Sequence, residues 1–83
     1  ITVDADYRGQ GIGKALMQAV IDWAKAHPAI HRLELEVFTD NFRAISLYLK
    51  LGFVVEGTKY KAYRKHGAFK DSYMMAMLFE GKE

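Results

Sequence analysis

The chain has no cysteine and a single proline among 83 residues. Without thiols it can hold no disulfide and offer no cysteine nucleophile. It also lacks a charge of dominant sign: 12 basic residues face 10 acidic ones, for a net charge of +2. So even a balance argues against a nucleic-acid partner, whose recognition rests on concentrated positive charge. Long apolar runs are missing too. The longest, near residues 73–79, is far too short to cross a bilayer, so a membrane partner is not expected. No leader-like segment is visible, and cytoplasmic residence is the default expectation. What remains is 51% hydrophobic content, ordinary for one small folded domain and unlike a disordered chain.

Glycine is sparse except in one place. Arg8-Gly9-Gln10-Gly11-Ile12-Gly13-Lys14 puts three glycines in five positions between a short apolar segment, residues 1–3, and an amphipathic helix pattern over residues 12–27. Bare backbone amides at a helix start carry unpaired donors and partial positive charge, which suits a phosphate. Arg8 and Lys14 add formal charge at the two ends of the turn. The reading is an anion cradle; the alternative is a tight turn with no ligand.

The rest of the chain places this loop in a fold. Ile12, Leu16, Ala19, Val20 and Trp23 recur at helical spacing, and His27-Pro28 closes the helix because a residue before proline avoids helical geometry. Over residues 32–37, Leu33, Leu35 and Val37 alternate with Arg32, Glu34 and Glu36, the mark of a half-buried strand. Thr39-Asp40-Asn41 supplies caps for a second helix over residues 42–51, which stops at Gly52. Strands are expected over residues 53–64 and 69–79, with His66-Gly67 at hairpin distance between them. The order is strand end, helix, strand, helix, strand, strand. It predicts an α/β (α+β) layer, two helices on a mixed, twisted sheet of about four strands, ending in a β-hairpin.

Three glycine-rich templates compete for the loop. A P-loop, G-x-x-x-x-G-K-[ST], finds Gly13-Lys14 but has Arg8 for its first glycine and Ala15 for its hydroxyl. A dinucleotide fingerprint, G-x-G-x-x-G, finds Gly9 and Gly11 but Lys14 for the third glycine. The third, R/Q-x-x-G-x-G/A, is met by Arg8, Gly11 and Gly13. On this template the chain resembles the GNAT superfamily of acyl-CoA N-acyltransferases. "VDADYRGQGIGKALMQAVIDWA" is similar to that family's pyrophosphate loop and following helix. "LELEVFTDNFRAISLYLKLGFVVEG" is similar to its next strand, second helix and Gly-Phe strand entry, with Asn41, Ala44, Tyr48 and Gly52-Phe53 at the usual spacing. The tail "KYKAYRKHGAFKDSYMMAML" resembles the branch that acetylates amino acids and related small amines.

The resemblance implies an acetyl-CoA-dependent N-acetyltransferase acting on a small-molecule primary amine, with no metal. Main-chain amides across Arg8, Gly9, Gln10, Gly11, Ile12, Gly13 and Lys14 would grip the pyrophosphate. The backbone of Val3 would bond the acetyl-pantetheine arm like an added strand, and an amide near Val3 would serve the oxyanion. Asn41 would hydrogen-bond the same arm, with a helix N-cap as the alternative reading. Tyr48 would be the general acid that protonates the leaving thiolate, with core packing as its alternative. Lys50 would meet the outer phosphates, or be a solvated helix lysine. Glu34 and Glu36 are not assigned as bases. His27, His31 and His66 lack metal-ligand spacing. Lys59, Lys61, Arg64 and Asp71 border an acceptor or form a solvated edge.

The family fold needs roughly twice this length, in line with ordinary domains. The chain opens on Ile1 inside an apparent strand. The expectation is therefore a C-terminal portion, residues 1–83, whose N-terminal half is absent. An open sheet edge near Ile1 would invite a complementary half or a second copy, giving a dimer. The alternative to an enzyme is an inactive coenzyme A-binding fragment or scaffold. A nucleotide-binding module is a third reading, weakened by Arg8 and Ala15.

Overall fold

A computed structural model of the chain describes residues 1–3 and 13–82. Its elements are β1 (Thr2–Val3), α1 (Lys14–Ala26), β2 (Arg32–Phe38), α2 (Phe42–Leu51), β3 (Val54–Lys65) and β4 (Ala68–Leu78). They make a four-stranded mixed sheet in the order β1-β2-β4-β3. β1 runs parallel to β2, with Val3 opposite Leu35; β2 with β4, and β4 with β3, are antiparallel. The expected elements are all present, with ends shifted by one or two residues.

Alternation in β2 sorts the sheet into two faces. Leu33, Leu35 and Val37 are buried in one core with Met17, Ile21 and Ala24 of α1, Ala44 and Tyr48 of α2, and Phe53 and Met75. Both helices therefore pack on the same side. On α1 the buried stripe is Met17, Ile21 and Ala24, whereas Leu16 and Trp23 are 60% and 51% exposed. The apolar spacing read from Leu16 and Trp23 thus marks a helix correctly but not its inward face. α1 has two adjacent apolar stripes, and the one through Met17, Ile21 and Ala24 is buried against the sheet.

Local chemistry sets the helix ends. At the exit of α1, His27 takes extended geometry (φ −91°, ψ 114°) ahead of Pro28. The Lys82 ammonium then donates to three carbonyls there: Ala24 O at 2.6 Å, His27 O at 2.9 Å and Ile30 O at 2.7 Å. Ala24 O and His27 O each also accept a backbone N–H at 3.2 Å, so the ammonium fills their second acceptor site and adds a cation at the negative pole of the helix. α2 ends in a Schellman motif: Phe53 N donates to Tyr48 O at 2.9 Å and Gly52 N to Leu49 O at 3.1 Å. Gly52 sits at φ +111°, in the left-handed region. Gly52→Ala is expected to lower stability by about 1–2 kcal/mol, measured by urea unfolding. A Cβ there would meet only the mobile tip of Met77, at 3.2 Å, so the cost is conformational. An unchanged midpoint would contradict it.

β3 and β4 reach beyond β2. Partners of β2 lie only at Ser72 to Leu78, while β4 continues back to Ala68 against Lys65. The hairpin tip is therefore a two-stranded arm closed by His66 (φ 52°) and Gly67 (φ 78°), as a two-residue primed turn requires. The register slips between Lys59 and Tyr63. There Lys61 adopts φ 52°, and its N–H donates to the Asp71 carboxylate at 2.8 Å.

Candidate functional site

The start of α1 and one face of α2 enclose a cleft. It has a volume of about 440 Å³ and is lined by Lys14, Arg43, Ser46, Leu47, Lys50 and Leu51. Arg43 and Lys50 are seven residues apart on α2, two helical turns, so they share a face. Lys14 is the first residue of α1, behind Gly13 as N-cap. Glycine brings no capping side chain, and the first turn holds no acid, so the leading amides of α1 have no side-chain oxygen of their own turn to bind. Among the described residues, three cations, a hydroxyl, no carboxylate and a helix N-terminus make this wall complementary to a polyanion with an apolar portion.

The other residues read from the sequence fall as follows. Val3 lies in β1, beside Leu35 and partly buried against the core. Asn41 is the N-cap of α2: its side-chain oxygen accepts from Ala44 N at 3.3 Å. Capping therefore falls to Asn41 and not to Thr39 or Asp40. Tyr48 is fully buried, its ring edge-on to Phe53 at 6.0 Å. Lys50 is in the last turn of α2 and lines the cleft. Arg8, Gly9, Gln10, Gly11 and Ile12 lie outside the described residues. Of the described candidates, the cleft gathers Lys14 and Lys50; Val3, Asn41 and Tyr48 do not line it. Arg43 and Ser46 were missed by sequence reasoning. The cation spacing between Arg43 and Lys50 was the available signal.

The opposite sheet face is polar. Arg32 bonds Glu34 at 2.9 Å and grips both carboxylate oxygens of Glu56, while the Thr2 hydroxyl donates to Glu34 at 2.9 Å. The fully buried Ser72 donates to Glu36 at 2.5 Å, and Lys59 stands 3.5 Å from the same carboxylate. Thr2, then Arg32, hold Glu34 below its ordinary pKa of 4.5; Arg32 does the same for Glu56. Both carboxylates are thereby ionised to lower pH than free ones. This sets a pH dependence. These groups favour the fold above the ordinary carboxylate range, and that contribution disappears as pH falls through their lowered folded values. The melting temperature should therefore drop between pH 6 and pH 3, and drop less in Arg32→Gln. Parallel curves for the two proteins would refute the assignment.

His27 caps α1, and His66 makes the hairpin turn. Among the described residues no group of three or more His, Asp or Glu is placed to hold a metal ion, and no helix is long and apolar enough to cross a membrane.

Comparison with known proteins agrees with this fold. The family model described as "Acetyltransferase (GNAT) family" matches residues 1–53. The L-amino acid N-acetyltransferase AaaT of Escherichia coli (strain K12) is 40% identical over 76 residues, 92% of this chain and 47% of AaaT. The N-alpha-acetyltransferase RimI of Mycobacterium tuberculosis is 40% identical over 75 residues, 90% of this chain and 44% of that protein. Among solved structures, a GNAT-family acetyltransferase from Streptococcus pneumoniae superposes with TM-score 0.76 at 42% identity, over 88% of this chain and 44% of that one. Arabidopsis thaliana NAA60 in complex with acetyl-CoA gives TM-score 0.76 at 31% identity, over 90% and 43%. The chain spans about half the length of the curated relatives it matches.

Proposed function

The chain belongs to the GNAT acetyltransferase family, and on that premise we propose that it is the coenzyme-binding part of an N-acetyltransferase. The reaction passes the acetyl group of acetyl-CoA to a primary amine, with the α-amino group of an amino acid as the favoured acceptor. The carrying observation is the cleft with Lys14, Arg43 and Lys50 at the uncapped start of α1. The acceptor class draws support from AaaT, which is named for L-amino acids.

Acetyl-CoA supplies an activated thioester. This chain's residues bind and orient it. The amides of Gly13 and Lys14, continuing the loop of Arg8, Gly9, Gln10, Gly11 and Ile12, take the pyrophosphate. Arg43 and Lys50 face the outer phosphates, while Leu47 and Leu51 offer apolar contact. Val3 lends backbone hydrogen bonds to the pantetheine arm, and Asn41 meets the same arm from the start of α2. The amine attacks the carbonyl carbon directly, which suits a chain without cysteine. As the carbon–sulfur bond breaks, the Tyr48 phenol gives its proton to the sulfur, and the proton that the nitrogen sheds on becoming an amide returns to the phenolate by way of solvent. That role asks Tyr48 to serve the core and the chemistry together.

A second reading is a coenzyme-binding scaffold without turnover; the position of β1 at the sheet edge favours it. One experiment separates the readings. Acetyl-CoA and CoA at about 100 times their Kd should each add about 2.7 kcal/mol of stability and raise the melting temperature by roughly 10–20 °C. ATP with magnesium should not. A larger shift with ATP would remove both readings in favour of a nucleotide module. Stabilisation with no thiol released from acetyl-CoA, across a panel of amino acids, would select the scaffold.

A further inference from the structure

The net charge of +2 conceals a split. Residues 57–71, the arm and the strand leading into it, hold five of the 12 Lys and Arg and one of the 10 Asp and Glu, so this segment is net +4 and the remaining chain net −2. Three aromatic rings are interleaved with those cations and stay open: Tyr60 is 75%, Tyr63 51% and Phe69 52% exposed. Two cations are matched locally. Lys59 pairs with Glu36, and Lys70 with Asp40 at 3.3 Å. Lys61, Arg64 and Lys65 have no salt bridge among the described residues.

Lys61 and Arg64 are also held in place. The Lys61 ammonium is 5.0 Å and the Arg64 guanidinium 5.6 Å from the centroid of the same Phe69 ring. Each gains from the ring's electron density, yet two like charges over one ring repel each other. The fixed turn at His66-Gly67 and the Asp71 bond to the Lys61 amide hold the strand segments that carry them. A shared anion would relieve the repulsion at little further ordering cost.

We propose that this arm binds single-stranded nucleic acid, with a backbone phosphate between Lys61 and Arg64 and bases stacking on the open tyrosines. Cations set among stackable rings are the combination by which single strands are bound without regard to sequence. An acidic protein would use the charges and leave the rings unexplained. A duplex keeps its bases paired and away from them. No residue of the arm lines the cleft of Lys14, Arg43 and Lys50, so the proposal does not depend on the acetyltransferase reading.

Fluorescence anisotropy with a labelled 12-nucleotide oligouridine tests it. At 50 mM salt, micromolar affinity is expected. With about three phosphates neutralised, a single strand should lose roughly 15-fold in affinity between 50 and 200 mM salt. Lys61→Glu/Arg64→Glu should weaken binding at least tenfold, and Tyr60→Ala at least fivefold, both with melting temperatures near the parent's. Saturating CoA should leave binding intact. No binding at 50 mM salt, an unchanged Kd in the double variant, or displacement by CoA would overturn the proposal. Equal competition by a 12-residue polyglutamate or a 12-base-pair duplex would also overturn it, in favour of an unspecific cationic surface.

Discussion

Affinity for coenzyme A should fall about a hundredfold when Arg43 and Lys50 are both replaced by glutamate. A unit charge about 4 Å from another is worth roughly 1 kcal/mol in water. Reversal turns that attraction into a similar repulsion, so each site changes by roughly 2 kcal/mol before salt screening. Two sites, partly screened, give about 3 kcal/mol, which is the hundredfold stated. Both side chains are exposed, so the melting temperature without ligand should stay near the parent's. Isothermal titration at two salt concentrations checks it: the parent should lose affinity with salt and the double variant much less. Equal Kd values in the two proteins would mean that this cleft is not where the phosphates sit.

The second large effect concerns Tyr48. Tyr48→Ala is expected to leave the chain unfolded at 37 °C. Emptying a buried aromatic site costs about 3–5 kcal/mol, against a total of about 4–12 kcal/mol for a chain of this size. Here the loss is compounded. Tyr48 and Phe53 bracket the Schellman motif, their rings 6.0 Å apart, and join α2 to the start of β3. Tyr48→Phe keeps that ring and should melt within a few degrees of the parent. Circular dichroism melts of the two variants make the test, and a stable Tyr48→Ala would show that the ring is dispensable to the core. If Tyr48→Phe folds, binds CoA as the parent does and still transfers acetyl groups at the parent's rate, the phenol has no part in the chemistry.

Much of this architecture is legible in the residues because the signals are local. Strict alternation from Arg32 to Val37, the Asn41 cap, the Gly52 stop and the His66-Gly67 turn each act within a few residues, and each appears where expected. Signals that depend on a distant partner are harder to read. Nothing near Met17 says that its stripe, and not the one through Leu16 and Trp23, meets β2. The placing of β4 between β2 and β3 depends on pairing across more than thirty residues of chain. The site divides the same way. Lys14 follows a recognisable glycine pattern, whereas Arg43 looks like any solvated helix cation until α1 is seen across the cleft. Tyr48 and Asn41 matched a motif whose spacing serves packing and capping, whichever further task it serves.

The three carbonyls gathered by Lys82 tie the end of the sheet to the rear of the helix whose front carries Lys14. α1 is thus a strut pinned at its far end by a residue almost seventy positions from its near one. Replacing Lys82 with methionine, or masking that ammonium with an acetyl group, would unpin the strut. Its leading amides would then be aimed less sharply, without any change to a residue that faces the coenzyme.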